Sequence, residues 1–250
     1  MNNNVYLYGI LPAPGPQELE LEGLDKQRVQ IQSMDGFTFL YSEAKQSKYL
    51  ASRRNLLSHE RVLEEVMHQG YRTILPLQFG LVVETWEEVS DQLTGPYSEA
   101  LTRLFAHLDG HREVSVKVMW DEANELQLLM AERPELQAQR DSLTGKTLNM
   151  DEVIRIGQAV EKAMAERKNE IVNAFRNALK PLSVESVEND PMMSDMIFNT
   201  AFLIPWESEM AFSVWVETLD QQFENRLRIR YNNFTAPFNF AQISALEGNA

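Results

Sequence analysis

The stretch His111-Arg112-Glu113-Val114-Ser115-Val116-Lys117-Val118-Met119-Trp120 decides how this chain divides. Val114, Val116 and Val118 fall on one face of a strand and Ser115, Lys117 and Met119 on the other, the two-residue period of a sheet. Asp109-Gly110 just before it is a turn signal, and after it the pattern of elements starts afresh. From Asp121 the sequence is helical, with breaks predicted near Pro134 and at Leu143-Thr144-Gly145. Residues 151–179 carry an apolar stripe through Val153, Ile156, Val160, Met164, Ile171, Phe175 and Leu179, and Pro181 stops the helix. Residues 182–188 and 194–204 read as a hairpin around Asn189-Asp190-Pro191, residues 206–224 as a helix and 225–231 as the last strand. Strand, helix, strand, strand, helix, strand is the ferredoxin-like βαββαβ order, here with an extra helix.

The first half is also mixed α+β. Residues 5–11 read as a buried strand stopped by Pro12, Pro14 and Pro16, which have no ladder donor. Residues 28–34 and 36–41 alternate around Asp35-Gly36, a dipeptide that accepts the positive φ of a tight hairpin turn. Apolar residues recur at helical spacing through 47–69 until Gly70, and short strands are predicted at 72–75 and 78–83 around Pro76. Thr85 is placed to cap a helix with Glu87 and Glu88 in its first turn, and that helix is expected to pause at Gly95-Pro96. The expected architecture is therefore α+β in two domains: an N-terminal α+β domain over 1–109, a ferredoxin-like domain over 110–232 and a C-terminal extension over 233–250.

Composition limits the function. The 250 residues are 44% hydrophobic, enough for one large core or two ordinary ones. With 37 acidic against 23 basic residues the net charge is -14, which repels phosphate backbones and anionic bilayers and argues against nucleic acid or membrane as partner. The basic alternation at Arg226, Arg228 and Arg230 fits the solvated face of a strand. The absence of cysteine removes disulfides, thiolate catalysis and thiolate-ligated metals. Met1-Asn2-Asn3-Asn4 has neither the basic region nor the apolar run of a secretory signal, so a cytosolic protein is expected.

The motifs that carry chemistry are incomplete. His59-Glu60 begins like a helical zinc site, but the position one turn on is Leu63, and His59 and His68 read as capping or surface residues. His107 and His111 are separated by the helix-breaking Asp109-Gly110. Ser142-Leu143-Thr144-Gly145-Lys146-Thr147 ends like a phosphate loop, but position 140 is Arg140 where the first glycine is needed, so it reads as a turn and cap. No catalytic, cofactor or metal residues are assigned, and no cofactor is expected. Met192, Met193 and Met196 read as core filling.

What remains is contact chemistry at the C-terminus. LRIRYNNFTAPFNFAQI, residues 227–243, alternates like a strand, is expected to break at Asn232-Asn233, and then gives Phe234, Pro237, Phe238 and Phe240 with no charge until Glu247. These four are the candidate partner surface, to be shared with docking on the chain's own domain.

These features resemble, in order and spacing, the gas vesicle accessory proteins GvpF and GvpL. The resemblance rests on Val5-Tyr6-Leu7-Tyr8-Gly9-Ile10, on His59-Glu60 with Val62, on Leu75-Pro76-Leu77-Gln78-Phe79-Gly80, on Glu113 to Trp120, on Asn199-Thr200-Ala201-Phe202-Leu203-Ile204-Pro205, and on the aromatic tail. Gln78 stands where the family typically has a basic residue, and the tail lacks a glycine and one proline of the family pattern. The resemblance implies a two-domain α+β protein with a ferredoxin-like second domain. It also implies a non-enzymatic minor component of the gas vesicle that acts early in assembly. Its expected partners are the hydrophobic shell protein GvpA, whose aggregation it would prevent, and other accessory proteins. The rival reading is a small-molecule-binding or hydrolytic enzyme using a cleft between the domains.

Overall fold

The computed structural model describes residues 4–142, 150–224 and 226–242. It is an α+β structure with two antiparallel sheets. The described residues group into two compact units. One takes residues 4–114, 203–207 and 232–242, the other the described residues of 115–202 and 208–231.

In the first unit, β1 (Val5–Pro12), β2 (Gln30–Met34), β3 (Phe37–Glu43) and β4 (Leu75–Pro76) form a sheet in the order β2-β3-β1-β4, and β5 (Val82–Val83) also pairs with β1. The β2–β3 hairpin turns at Asp35 and Gly36, whose φ values of 51° and 82° are those a tight right-twisting hairpin needs. Asp35 is then held by O–H donors from Ser90 at 2.9 Å and Thr94 at 2.5 Å, which lower its pKa. Along β1 the register shifts between Leu7 and Gly9, placing Tyr8 at an irregularity beside the core. At Gly9 a Cβ would lie 2.7 Å from the Leu63 side chain and 3.0 Å from the Leu75 carbonyl, so only glycine lets the helix approach.

That helix is α1 (Arg53–His68), capped by the Ser52 hydroxyl, which accepts from Asn55 N–H at 3.3 Å. Its buried stripe, His59, Val62, Leu63, Val66 and Met67, packs with Tyr6, Tyr8, Leu40 and Tyr49 in the core of this unit. Thr85 caps α2 (Trp86–Val89) as predicted, accepting from Glu88 N–H at 3.2 Å. The pause before α3 (Gly95–Leu108) is a π-helical turn over Ser90–Thr94.

A second sheet is formed by β6 (His111–Met119), β7 (Glu185–Glu188), β8 (Met196–Pro205) and β9 (Arg228–Thr235) in the order β7-β8-β6-β9, with residues 111–114, 203–205 and 232–235 of its strands counted in the first unit and the rest in the second. The helices of the second unit are α4 (Glu122–Glu132), α5 (Pro134–Asp141), α6 (Met150–Leu179) and α7 (Glu209–Gln222). Phe175, Phe198, Phe202 and Phe212 run through its core with successive ring centroids 5.8, 6.4 and 5.2 Å apart. No helix among the described residues is long and apolar enough to cross a membrane.

Four sequence expectations are corrected. The short strands at 72–75 and 78–83 shrink to two residues each, because much of the loop is held by side chains rather than by ladder bonds. The break at Asn232-Asn233 does not occur: β9 continues to Thr235, an edge strand on which two exposed asparagines cost little. Of the methionine cluster only Met196 is core, at 3% exposure, whereas Met192 is 72% exposed. Arg226 is not on a solvated face but reaches the buried Glu125, which also binds Arg167 at 2.6 Å. The predicted turn within Ser142–Thr147 lies, from Leu143 on, outside the described residues.

Candidate functional site

The site is built in the first unit around residues 75–80. Only the first two residues of this stretch are strand; a backbone bond from Leu77 N–H to the Tyr8 carbonyl at 3.0 Å and three side-chain bonds hold the rest. His59 Nε2 lies 3.1 Å from the Leu77 carbonyl, which can only accept, so Nε2 carries the proton. Nδ1 therefore accepts from the Tyr6 hydroxyl at 2.9 Å, and the Tyr6 oxygen accepts from Gly80 N–H at 2.9 Å. The chain Gly80 to Tyr6 to His59 to Leu77 closes on the loop from both ends and requires neutral imidazole. Burial drives the His59 pKa down to about 4 and the Tyr6 pKa well up, so neither group titrates near neutrality. This corrects the surface or capping role read for His59, which is 1% exposed. Its spacing with Val62, Leu63 and Val66 on one helical stripe was the signal that it faces inward.

The tail folds onto the same unit. Ala236, Pro237 and Phe240 are buried, and Phe234 and Phe238 are half-buried against the core. Phe238 N–H donates to the Ala236 carbonyl at 2.8 Å and Phe240 N–H to the Pro237 carbonyl at 3.2 Å, a tight turn made without the family's glycine. Asn239 fastens it to β6. Its backbone N–H and side-chain amide donate to the two Glu113 carboxylate oxygens at 2.9 and 2.6 Å. Burial nevertheless pushes the Glu113 pKa up to about 7, the two amide bonds only partly offsetting it. Phe234 stacks on His68, with centroids 4.0 Å apart and planes 8° from parallel. The Arg112 guanidinium lies 4.4 Å from the Trp206 ring and 5.5 Å from the Phe234 ring, and it donates to the Asn233 carbonyl.

Loop and tail together border a surface groove of about 890 Å³, with Leu77, Phe79, Leu81, Leu93 and Phe238 as its apolar lining. The exposed Gln78, in the position where a basic residue was expected, is part of the rim with Asn239 and Gln242. Of the four sequence candidates, Phe238 enters the groove, Phe234 joins the cation–aromatic stack, and Pro237 and Phe240 face inward. Phe79, Leu93, Glu113 and Trp206 were not singled out as site residues. Nothing local marks Glu113 or Leu93, because their partners lie far away in sequence. Among the described residues no group of three or more His, Asp or Glu side chains is placed to hold a metal ion.

Fold and site define the class: an α+β protein whose ionisable core groups are locked into holding a loop and a tail, leaving an apolar groove at the surface. The chain belongs to the family described as gas vesicle synthesis protein GvpL/GvpF, whose pattern matches residues 4–242. It is 58% identical over 244 residues to gas vesicle protein F of Nostoc sp. strain PCC 7120, covering 98% of this chain and all of that one. Gas vesicle protein F of Dolichospermum flosaquae is 55% identical over 245 residues, with the same coverage. The crystal structure of GvpF from Anabaena sp. PCC7120 superposes with a TM-score of 0.83 at 56% identity, covering 96% of each chain.

Proposed function

We propose that this gas vesicle protein acts in vesicle assembly by binding the hydrophobic shell protein through the loop-and-tail groove and keeping it from aggregating during nucleation. One observation carries the reading: half-buried Phe79 and Phe238 converge on an open apolar groove in a chain of net charge -14. Such a surface covers exposed apolar side chains while the charge keeps the complex dispersed. On this reading the protein is a minor, non-enzymatic component that is cytosolic before it joins the vesicle, and other accessory proteins are further partners. A ferredoxin-like second domain belongs to the same reading, supported by the strand path β7-β8-β6-β9 and by the helices that precede β7 and β9.

The test is a sedimentation assay. Denatured shell protein is diluted into buffer with or without the purified chain, and the pellet is weighed. The chain should hold the shell protein in the supernatant near stoichiometric ratio, whereas an unrelated acidic protein of similar charge should not. Equal pellets in both would end the proposal.

A further inference from the structure

A second trough lies in the other unit, between α4 and α6. It encloses about 410 Å³. Its floor is Trp120, Leu126, Val160 and Met164. On α6 the lining residues fall into two adjacent rows with a four-residue step, Gly157, Glu161 and Ala165 beside Val160, Met164 and Lys168. Rows with that step are the ridges into which another helix packs. From Gly157 to Lys168 the stripe runs roughly 16 Å at 1.5 Å per residue, the length of about three helical turns.

Two further features select the occupant. Gly157 and Ala165 are exposed and small, and a Cβ built on Gly157 meets nothing within 4 Å, so a partner backbone has room to come close. The rim carries charge of both signs. Glu161 on α6 and Glu122 on α4 border the trough, with Lys168 about 10 Å farther along α6 at that same rise. None of the three has an ion-pair partner among the described residues. An apolar floor with unpaired carboxylates and an unpaired ammonium on its rim fits an amphipathic helix that brings basic residues to Glu122 and Glu161 and an acidic one to Lys168. A second copy of this chain, at net charge -14, meets general repulsion instead.

We infer that the α4–α6 trough is a docking site for an amphipathic helix of another gas vesicle protein. The inference rests on the family to which the chain belongs and not on the loop-and-tail groove. To test it, the photoreactive residue benzoylphenylalanine is placed at Ala165 in the full chain, which is co-expressed with the other gas vesicle proteins and irradiated. The cross-linked residues are then identified by mass spectrometry.

The expected result is a link to residues on the apolar face of a helix in another gas vesicle protein. Adding Gly157→Arg, which fills the trough without touching the core, should reduce the link roughly tenfold, a change of about 1.4 kcal/mol in binding, while the thermal midpoint stays at the parent value. Links only to a second copy, only to small molecules, or to no protein overturn the inference, as does a link that Gly157→Arg leaves intact. Retention of the shell protein, measured on the same samples, separates the two proposals: with retention unchanged, absence of any Ala165 link before Gly157→Arg is added defeats the trough alone.

Discussion

Two buried ionisable residues of the first unit act on stability in opposite directions. His59 has a folded pKa of about 4 against an ordinary 6.5, so the unfolded chain binds its proton first, and the stability it supports is lost as pH falls from about 6.5 to 4. Glu113 has a folded pKa of about 7 against an ordinary 4.5, so the folded chain holds that proton, and stability is lost as pH rises from about 4.5 to 7. Each window corresponds to on the order of 3 kcal/mol, and over their overlap the two nearly cancel. Denaturant unfolding of the parent should therefore vary little between about pH 4.5 and 6.5 from these groups. Glu113→Gln should expose the His59 slope, with stability climbing as pH rises through that range; a variant that tracks the parent would show that Glu113 does not titrate there. Glutamine keeps the tail fastened, because the Asn239 amide can turn to present its oxygen to the new NH2. Phe240→Ala should be the costliest tail change, about 3–5 kcal/mol by urea unfolding for a ring only 3% exposed. At this scale the sequence revealed the aromatic content of the tail but not which rings turn inward, since that depends on the Glu113–Asn239 bond between residues 126 positions apart.

Elements were the most legible level. The Asp35-Gly36 hairpin, the Thr85 cap, the stripe of α6 and the strand at β6 follow from spacing and turn chemistry, and the structure contains all four. Local patterning failed where long-range side-chain bonds replace backbone ladders, as in the loop held by His59 and Tyr6, and where an edge position tolerates asparagine, as in β9. It also gave no hint of the tie between α4 and α6. Arg167 donates to Glu125 at 2.6 Å, both largely buried, and to Glu132, which is mostly exposed. The buried contact dominates, because the exposed one is screened by water. Arg167→Met should cost about 3–5 kcal/mol in urea unfolding, since it leaves the Glu125 carboxylate buried with Arg226 alone. A loss below about 1 kcal/mol, the range of a surface pair, would show that Glu125 has found water or another donor.

For the whole molecule, we keep a division near Asp109-Gly110 as a proposal about how the chain can be cut. The core of the first unit nevertheless includes Ala236, with Trp206, Phe234 and Phe238 packed against it. A fragment of residues 1–109 lacks all four and should show no cooperative thermal transition, whereas adding residues 200–242 in trans should restore one; a cooperative 1–109 fragment would mean that the tail is dispensable for folding. The sequence pointed to the family because its pattern runs the length of the chain, but the groove was illegible, since Phe79, Leu93 and Phe238 meet only after folding. The claim that this groove captures the shell protein is tested most directly by retention of tagged parent and Phe79→Ala plus Phe238→Ala chains on shell protein, at a temperature where circular dichroism shows both folded. The account predicts a loss of retention of roughly tenfold or more, as for removal of central aromatic contacts from an interface. Retention equal to the parent would contradict it.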